Sequence, residues 1–311
     1  MASKKSFEIG GFARAVWAEI KGLTIVLLVV LLVHSFVAKP FYIPSESMMP
    51  AMLTGDRLVV SKYPYGYSFV SPTIPDPIGI ARAIVPGGDP GRWTVTLPPM
   101  EGRVFGSMPQ RGDIVIVTPP GKNEDYIKRV IGLPGETIEL VDGTVVIDGT
   151  PVAREVVDNA RIPVDPNSPC GHSRGGAPVD LALVQQIEAG DDGRLYCSLP
   201  IVRETLPNGV SYNTVDLGRF EGDDYGPLTI PNGHVFLMGD NRDRSSDSRV
   251  SLEERGLGGA VPVENIGGRA EFITFSLDGT TSWNPATWLS AFREGRGWTS
   301  LRGSTGATGD E

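Results

Sequence analysis

Ser45 and Ser47 lie between Pro44 and Pro50 in the decapeptide PSESMMPAML (44–53). Proline fixes its own φ and pushes the residue before it toward extended geometry, so this segment reads as stiffened and extended. A serine hydroxyl held in that way acts as a nucleophile only if a base reaches it. Histidine, the usual base, is poorly placed: His34 lies in an apolar run, His172 in a polar insertion, and His234 starts a strand with no partner pattern. Lys128 in DYIKRVIGLPGE (125–136) is the better choice. It stands among Tyr126, Ile127, Val130, Ile131 and Leu133, and strand alternation puts it on one face with Tyr126 and Val130. Apolar surroundings disfavour the ammonium form and lower its pKa from about 10.4, which is how a lysine becomes a general base at working pH. A Ser–Lys pair is the alternative to Ser–His–Asp. Taken singly, each residue also has a plainer reading: a turn serine, and a strand lysine whose stem lies on the sheet while its head reaches water.

A third stretch, GDNRDRSSDSR (239–249), alternates Asp240, Asp243 and Asp247 with Arg242, Arg244 and Arg249. Asp243, Ser245, Asp247 and Glu254 fit a calcium-loop frame, but Ser248 stands where glycine is required and two arginines intrude. The segment reads better as an ion-paired loop that rigidifies a site, with the small Ser245 able to hydrogen-bond a neighbour. No metal and no cofactor is expected. The tripeptide RGD (111–113) reads as a turn entering a strand.

The elements that position these residues start with GLTIVLLVVLLVHSFVA (22–38), which carries no charge and approaches the roughly 30 Å of a bilayer core. It is apolar all round, unlike a core helix, and Phe36 occupies the position where signal-peptide cleavage needs a small side chain. A retained anchor is expected. Lys4, Lys5, Arg14 and Lys21 precede it and only Lys39 follows closely, which places residues 1–21 in the cytoplasm and the body outside.

The chain has 39 Gly and 26 Pro in 311 residues, which favours turns and short strands over long helices. Its net charge of −9 speaks against nucleic acid as a partner. Strands are predicted at 57–63, 111–118, 234–240 and 269–277, and a hairpin over 137–153 from the Asp-Gly pairs at 142–143 and 148–149. The expected fold is mostly β: an extracytoplasmic antiparallel sheet body on one N-terminal transmembrane helix. Residues 39–153 and 229–290 are assigned to the catalytic β-core, 154–228 to an inserted non-catalytic subdomain, and 291–311 to a disordered tail. Residues 64–110 read as a long Pro- and Gly-rich excursion. Outside the cytoplasm Cys170 and Cys197 can form a disulfide, which at their spacing is worth about 3–4 kcal/mol; two separate thiols are the alternative. Trp283, Trp288 and Trp298 either seat the body in the membrane interface or pack ordinarily.

Together PSESMMPAML, RGDIVIV, YIKRVIGLPGE and GDNRDRSSDSR resemble, in order and spacing, the boxes of bacterial type I signal peptidases (leader peptidases), Ser–Lys endopeptidases that remove signal peptides from exported proteins. The resemblance covers the anchor and roughly 40–63, 109–150 and 230–275. It implies Ser47 as nucleophile and Lys128 as general base. Ser45 and the Ser47 N–H would form the oxyanion hole, and Ser245 would orient Lys128. It further implies ion pairs Asp240–Arg129 and Asp247–Arg249, and pockets lined by Phe41, Ile43, Pro44, Met52, Tyr126 and Ile127. Arg244 stands where the family usually has Asn, and Ala51 and Met52 where Thr and Leu are common. The implied substrate is a preprotein signal peptide cut after small residues of Ala-x-Ala type. The implied partners are the lipid bilayer and the protein-export machinery, and the implied place is a bacterial inner membrane with the catalytic body on the periplasmic side. The competing readings are an anchored β-domain that binds exported chains without cutting them, and a Ser–Lys protease specialised for one substrate.

Overall fold

The structure is a computed structural model and describes residues 9–84, 94–95, 97–122, 124–171 and 181–305. His172, Lys4 and Lys5 lie outside them. Helix α1 (Ile9–Leu32) runs into a π-helical turn, Val33–Val37, and leaves it as strand β1 (Ala38–Tyr42). Its apolar stretch Phe12–Val37 has 26 residues, and its most apolar 18-residue window has a mean hydropathy of 2.4 and is only 6% buried. At ~1.5 Å per residue it exceeds the ~30 Å of a hydrocarbon core, and among the described residues the body touches it only near its exit, at Ser35 and Phe36. The helix is longer than 22–38, because Trp17, Ile20 and the residues between continue its turns.

Strand β2 (Asp56–Ser61) follows the serine segment. The excursion then holds β3 (Ile74–Pro75), helix α2 (Pro77–Ile84) and β4 (Thr94–Val95), with β3 paired to β4. It is tied to the anchor's exit: Tyr67 Oη donates to Phe36 O (2.8 Å) and Thr73 N–H to Ser35 Oγ (2.9 Å). The chain re-enters the body as β5 (Ile114–Val117) and β6 (Tyr126–Gly132). Next come β7 (Thr137–Val141), β8 (Thr144–Ile147) and β9 (Thr150–Pro151). Asp142-Gly143 and Asp148-Gly149 form the two turns, all four residues at positive φ (46–75°), as the Asp-Gly signal predicts.

The inserted segment builds a sheet of its own. It contains β10 (Ala153–Pro163), α3 (Leu181–Val184), β11 (Ile187–Ala189), β12 (Leu195–Thr205) and β13 (Val210–Val215). A disulfide joins Cys170 to Cys197. The return path is β14 (Tyr225–Thr229), β15 (His234–Met238), β16 (Val261–Pro262) and β17 (Ile266–Ser276), with β18 (Ser304–Thr305) last.

The main sheet has the order β1-β2-β17-β5-β6-β15-β16, with antiparallel pairing throughout. The inserted sheet has the order β10-β12-β13-β18, and β14-β7-β8-β9 form a third. β5 and β6 sit in the middle of the main sheet, and every residue of both except Tyr126 is buried. That explains their near-continuous apolar run, and it forces the two cations inside β6, Lys128 and Arg129, into the interior.

One boundary needs correction. The tail assigned as disordered from residue 291 is folded through residue 305. Ala291 and Leu301 are buried, Arg293 pairs with Asp165, Arg296 pairs with Asp56, and β18 pairs with β13. Few apolar residues mark this stretch, and long-range ion pairs hold it instead. Residues 306–311 lie outside the described ones.

Candidate active site

The serine segment is not extended throughout. After Pro44 it curls into a turn, with Met49 N–H donating to Glu46 O (3.1 Å) and Met52 N–H to Met48 O (2.9 Å). Side-chain burial on two sides drives the curl. Met48 and Met52 enter the core of the main sheet with Ile43, Leu58 and Ile127, while Met49 and Leu53 enter the core of the inserted sheet. Ser47, at the head of the turn, is left pointing at β6.

There it meets Lys128. The Lys128 ammonium nitrogen lies 3.0 Å from Ser47 Oγ and 3.0 Å from the carbonyl of Ile127, and both side chains are buried. Among the described residues no carboxylate lies within ion-pair distance of Lys128. Burial pushes its pKa down from an ordinary 10.5 to about 8, against the pull of Asp247 and Asp240 and helped by Arg249. Ser45 is exposed at the rim, its Oγ 3.5 Å from Ser47 Oγ.

The loop after β15 closes the site from behind. Arg129 grips Asp240 through two bonds of 2.7 and 2.6 Å. Arg249 Nε donates to Asp247 (3.0 Å), and Asp247 also accepts from Gly239 N–H (3.0 Å). Burial would raise the Asp247 pKa, but Arg249's charge and hydrogen bonds hold it below the usual carboxylate range. Asp243 takes Leu217 N–H and Glu254 takes Ser251, so the acidic residues of the calcium frame have separate partners.

Ser245 does not meet the expectation of a bond to Lys128. It is buried, and its hydroxyl has no hydrogen-bond partner. It faces Gly239, where any Cβ would clash with Ser245 Oγ and with the Ser47 carbonyl oxygen. Asn241 also escaped the sequence reading. Its N–H donates to Ser47 O and its side-chain amide to Glu46 O, both at 3.1 Å, so it sets the peptides on either side of Ser47. An Asn three residues beyond a strand, inside an Asp/Arg run, was the available signal.

A cleft of about 350 Å³ opens over Ser47 and Lys128. Phe41, Ile43, Pro44, Tyr126 and Ile127 line it. Met52 does not: it is fully buried beneath the turn, because its i, i+4 spacing from Met48 directs both into the core. β1 forms one edge of the main sheet, and the cleft runs between its end and the start of β6. Arg244 and Ser246 line the cleft as well. Arg111 and Asp113 of the RGD turn bond within the body, to Glu136 and Tyr65.

The family model described as signal peptidase, peptidase S26, matches residues 16–275. A signal peptidase I of Rickettsia typhi is 34% identical over 271 residues, covering 85% of this chain and 81% of that protein. A signal peptidase I of Rickettsia bellii is 32% identical over 266 residues, covering 83% and 73%. A crystal structure of a signal peptidase I from Enterococcus faecalis V583 is 24% identical, covering 52% of this chain and 97% of that one with a TM-score of 0.26.

Proposed function

This chain belongs to the signal peptidase family, peptidase S26, and on that premise we propose that it removes signal peptides by a Ser47–Lys128 dyad, cutting after small residues of Ala-x-Ala type. The observation that carries this reading is the 3.0 Å approach of the buried Lys128 nitrogen to Ser47 Oγ. A neutral amine there takes the Ser47 hydroxyl proton as the oxygen attacks the scissile carbonyl. The oxyanion is met by the Ser47 N–H and the Ser45 hydroxyl. Lys128, now protonated, gives its proton to the departing amine, and the acyl group stays on Ser47. Lys128 then takes a proton from water, the hydroxyl attacks the ester, and the proton returns to Ser47 as the signal peptide's new carboxyl end leaves.

The cleft supports the substrate class. An extended chain can lie between the end of β1 and the start of β6, with main-chain bonds giving affinity. Phe41, Ile43, Pro44 and Ile127 leave shallow hollows that exclude bulk, which favours Ala, Gly or Ser near the cut. The anchor is a membrane tether. We place residues before it in the cytoplasm and the body on the periplasmic face of an inner membrane, from the cations on its N-terminal side. A signal peptide crossing the same bilayer emerges at the height of the Ser47 turn, which follows α1 by a single strand. The export machinery would then act immediately upstream.

The test is cleavage of an Ala-x-Ala preprotein by the detergent-solubilised full chain. Wild type should cut after the second Ala, and Ser47→Ala and Lys128→Ala should be folded and inactive. An inert wild type would return the body to a binding role, and cleavage by Ser47→Ala would mean that the nucleophile is another residue. Ser45→Ala should slow turnover by about 10²–10³ with no change in thermal stability; unaltered turnover removes Ser45 from the oxyanion hole.

A further inference from the structure

We propose that Glu204, on β12 of the inserted sheet, is a positioning residue for Ser47, and that the inserted sheet is the back wall against which the nucleophile turn is set. The proposal rests on the Ser47–Lys128 reading and assigns a task to a segment that the family boxes leave without one.

Glu204 is fully buried and grips Arg242 through two bonds of 2.7 and 2.5 Å. Its second oxygen also accepts the hydroxyl of Tyr212, on β13 (2.8 Å). The Tyr212 ring in turn carries the Arg129 guanidinium 4.3 Å from its centre. Arg242 and Arg129 therefore leave the loop and β6 respectively and converge on one acid and one ring, both supplied by the insertion. Arg242 belongs to the segment that holds Ser47. It directly follows Asn241, and Asn241 fixes the carbonyls of Ser47 and Glu46. The backbone makes the same connection: Val215, at the end of β13, donates its N–H to Asp240 O (2.9 Å) and bridges to Asn241. An apolar seat completes it, with Met49 and Leu53 packed against Ile162, Leu199, Ile201 and Val215.

A guanidinium locked by a bidentate carboxylate has one orientation, whereas an apolar plug would tolerate several. Charges buried in this way are costly unless fully paired. The network is therefore suited to fixing a register, and the register it fixes is that of residues 240–242 against the Ser47 turn. A shift of about 1 Å in a reacting group can cost on the order of a hundredfold in rate.

The experiment compares Glu204→Gln with wild type in the full-length, detergent-solubilised protein, using initial rates on an Ala-x-Ala preprotein well below the unfolding midpoint. Glu204→Gln should lose about tenfold to a hundredfold in kcat. Its KM should change little, and the acid limb of its pH profile should stay where the wild type has it. Glu204→Asp should recover part of the loss. Arg161→Ala, which breaks an exposed pair with Glu188 on the same sheet, should behave as wild type. A folded Glu204→Gln with wild-type kcat overturns the proposal, and so does a loss confined to KM. If Glu204→Gln does not fold, Tyr212→Phe removes only the hydroxyl and should still lower kcat several-fold at constant KM; unchanged kcat there overturns the proposal equally. Ser47→Ala run in parallel separates the two readings. Cleavage by that variant overturns the dyad itself, whereas an inactive Ser47→Ala beside a fully active Glu204→Gln overturns only the positioning role.

Discussion

Lys128 and Arg129 are consecutive residues of β6, both cationic and both about 3% exposed, yet they sit in opposite electrostatic situations. Strand alternation turns them to opposite faces. On one face Arg129 meets Asp240 in a bidentate pair and donates to Gly112 O (2.8 Å). Burial disfavours its charge, but Asp240 outweighs that and holds the guanidinium pKa above its ordinary value. On the other face Lys128 meets a serine and a peptide carbonyl, and burial prevails. The difference teaches that burial alone does not define a base. What distinguishes Lys128 from the structural cation beside it is that, among the described residues, no carboxylate lies against it. Arg242 with Glu204 and Arg249 with Asp247 repeat the structural solution around the same loop.

The largest break in this comparison is to make the two residues alike. Lys128→Arg keeps a buried cation near Ser47 but one that does not deprotonate. It should cost at least about 10² in kcat/KM on an Ala-x-Ala preprotein, since a general base contributes about 10²–10⁴. Retention of a tenth of wild-type activity would mean that Lys128 is not the base. The converse change acts on the structural cation. Asp240→Asn leaves Arg129 buried without its counter-ion and should destabilise the fold by about 3–5 kcal/mol. Denaturant unfolding followed by tryptophan fluorescence checks this, and a loss below about 1 kcal/mol would show that water or rearrangement satisfies Arg129.

Much of this contrast was legible in the sequence, and the rest was hidden for identifiable reasons. The apolar runs of β5, β6 and β15, the two Asp-Gly turns and the apolar α1 are local signals, and each appears near its expected place. Ser47 and Lys128 came from box resemblance supported by the apolar setting of Lys128. What stayed hidden depends on partners distant in sequence. Arg293 reaches Asp165 across 128 residues and Arg296 reaches Asp56 across 240, and these pairs turn an apparently disordered tail into folded chain. Glu204 reads as an ordinary surface residue of a polar insertion until β12 places it under Arg242. The resemblance alone puts Met52 in the pocket, and no local signal shows that the turn sends it inward. Ser245 was given a bond to Lys128 that the structure does not make.

The titration of Lys128 sharpens the comparison more finely. Its pKa of about 8 requires kcat/KM to fall roughly tenfold per pH unit below that value, as the base protonates. A profile flat from pH 9 to pH 5 would contradict a neutral-lysine base.

The same displacement bears on stability, and its sign runs opposite to that of the Arg129 pair. The folded pKa of Lys128, about 8, lies below the 10.5 of an unperturbed lysine. Between those values the unfolded chain binds the extra proton, so this group makes stability rise with pH across the window. Below pH 8 its destabilising contribution is fully present, and above pH 10.5 it is gone. At about 1.4 kcal/mol per unit, the fold carries a burden on the order of 3 kcal/mol at pH 7 for keeping this lysine buried and unpaired. Lys128→Met keeps the stem, removes the charge and should therefore be inactive but more stable by about 1–3 kcal/mol at pH 7. The gain should shrink as pH rises toward 10.5. Denaturant unfolding at pH 7 and pH 10 measures both. A Lys128→Met variant no more stable than wild type at pH 7 would mean that Lys128 has a hidden counter-charge, and the difference between the two faces of β6 would then be one of geometry alone.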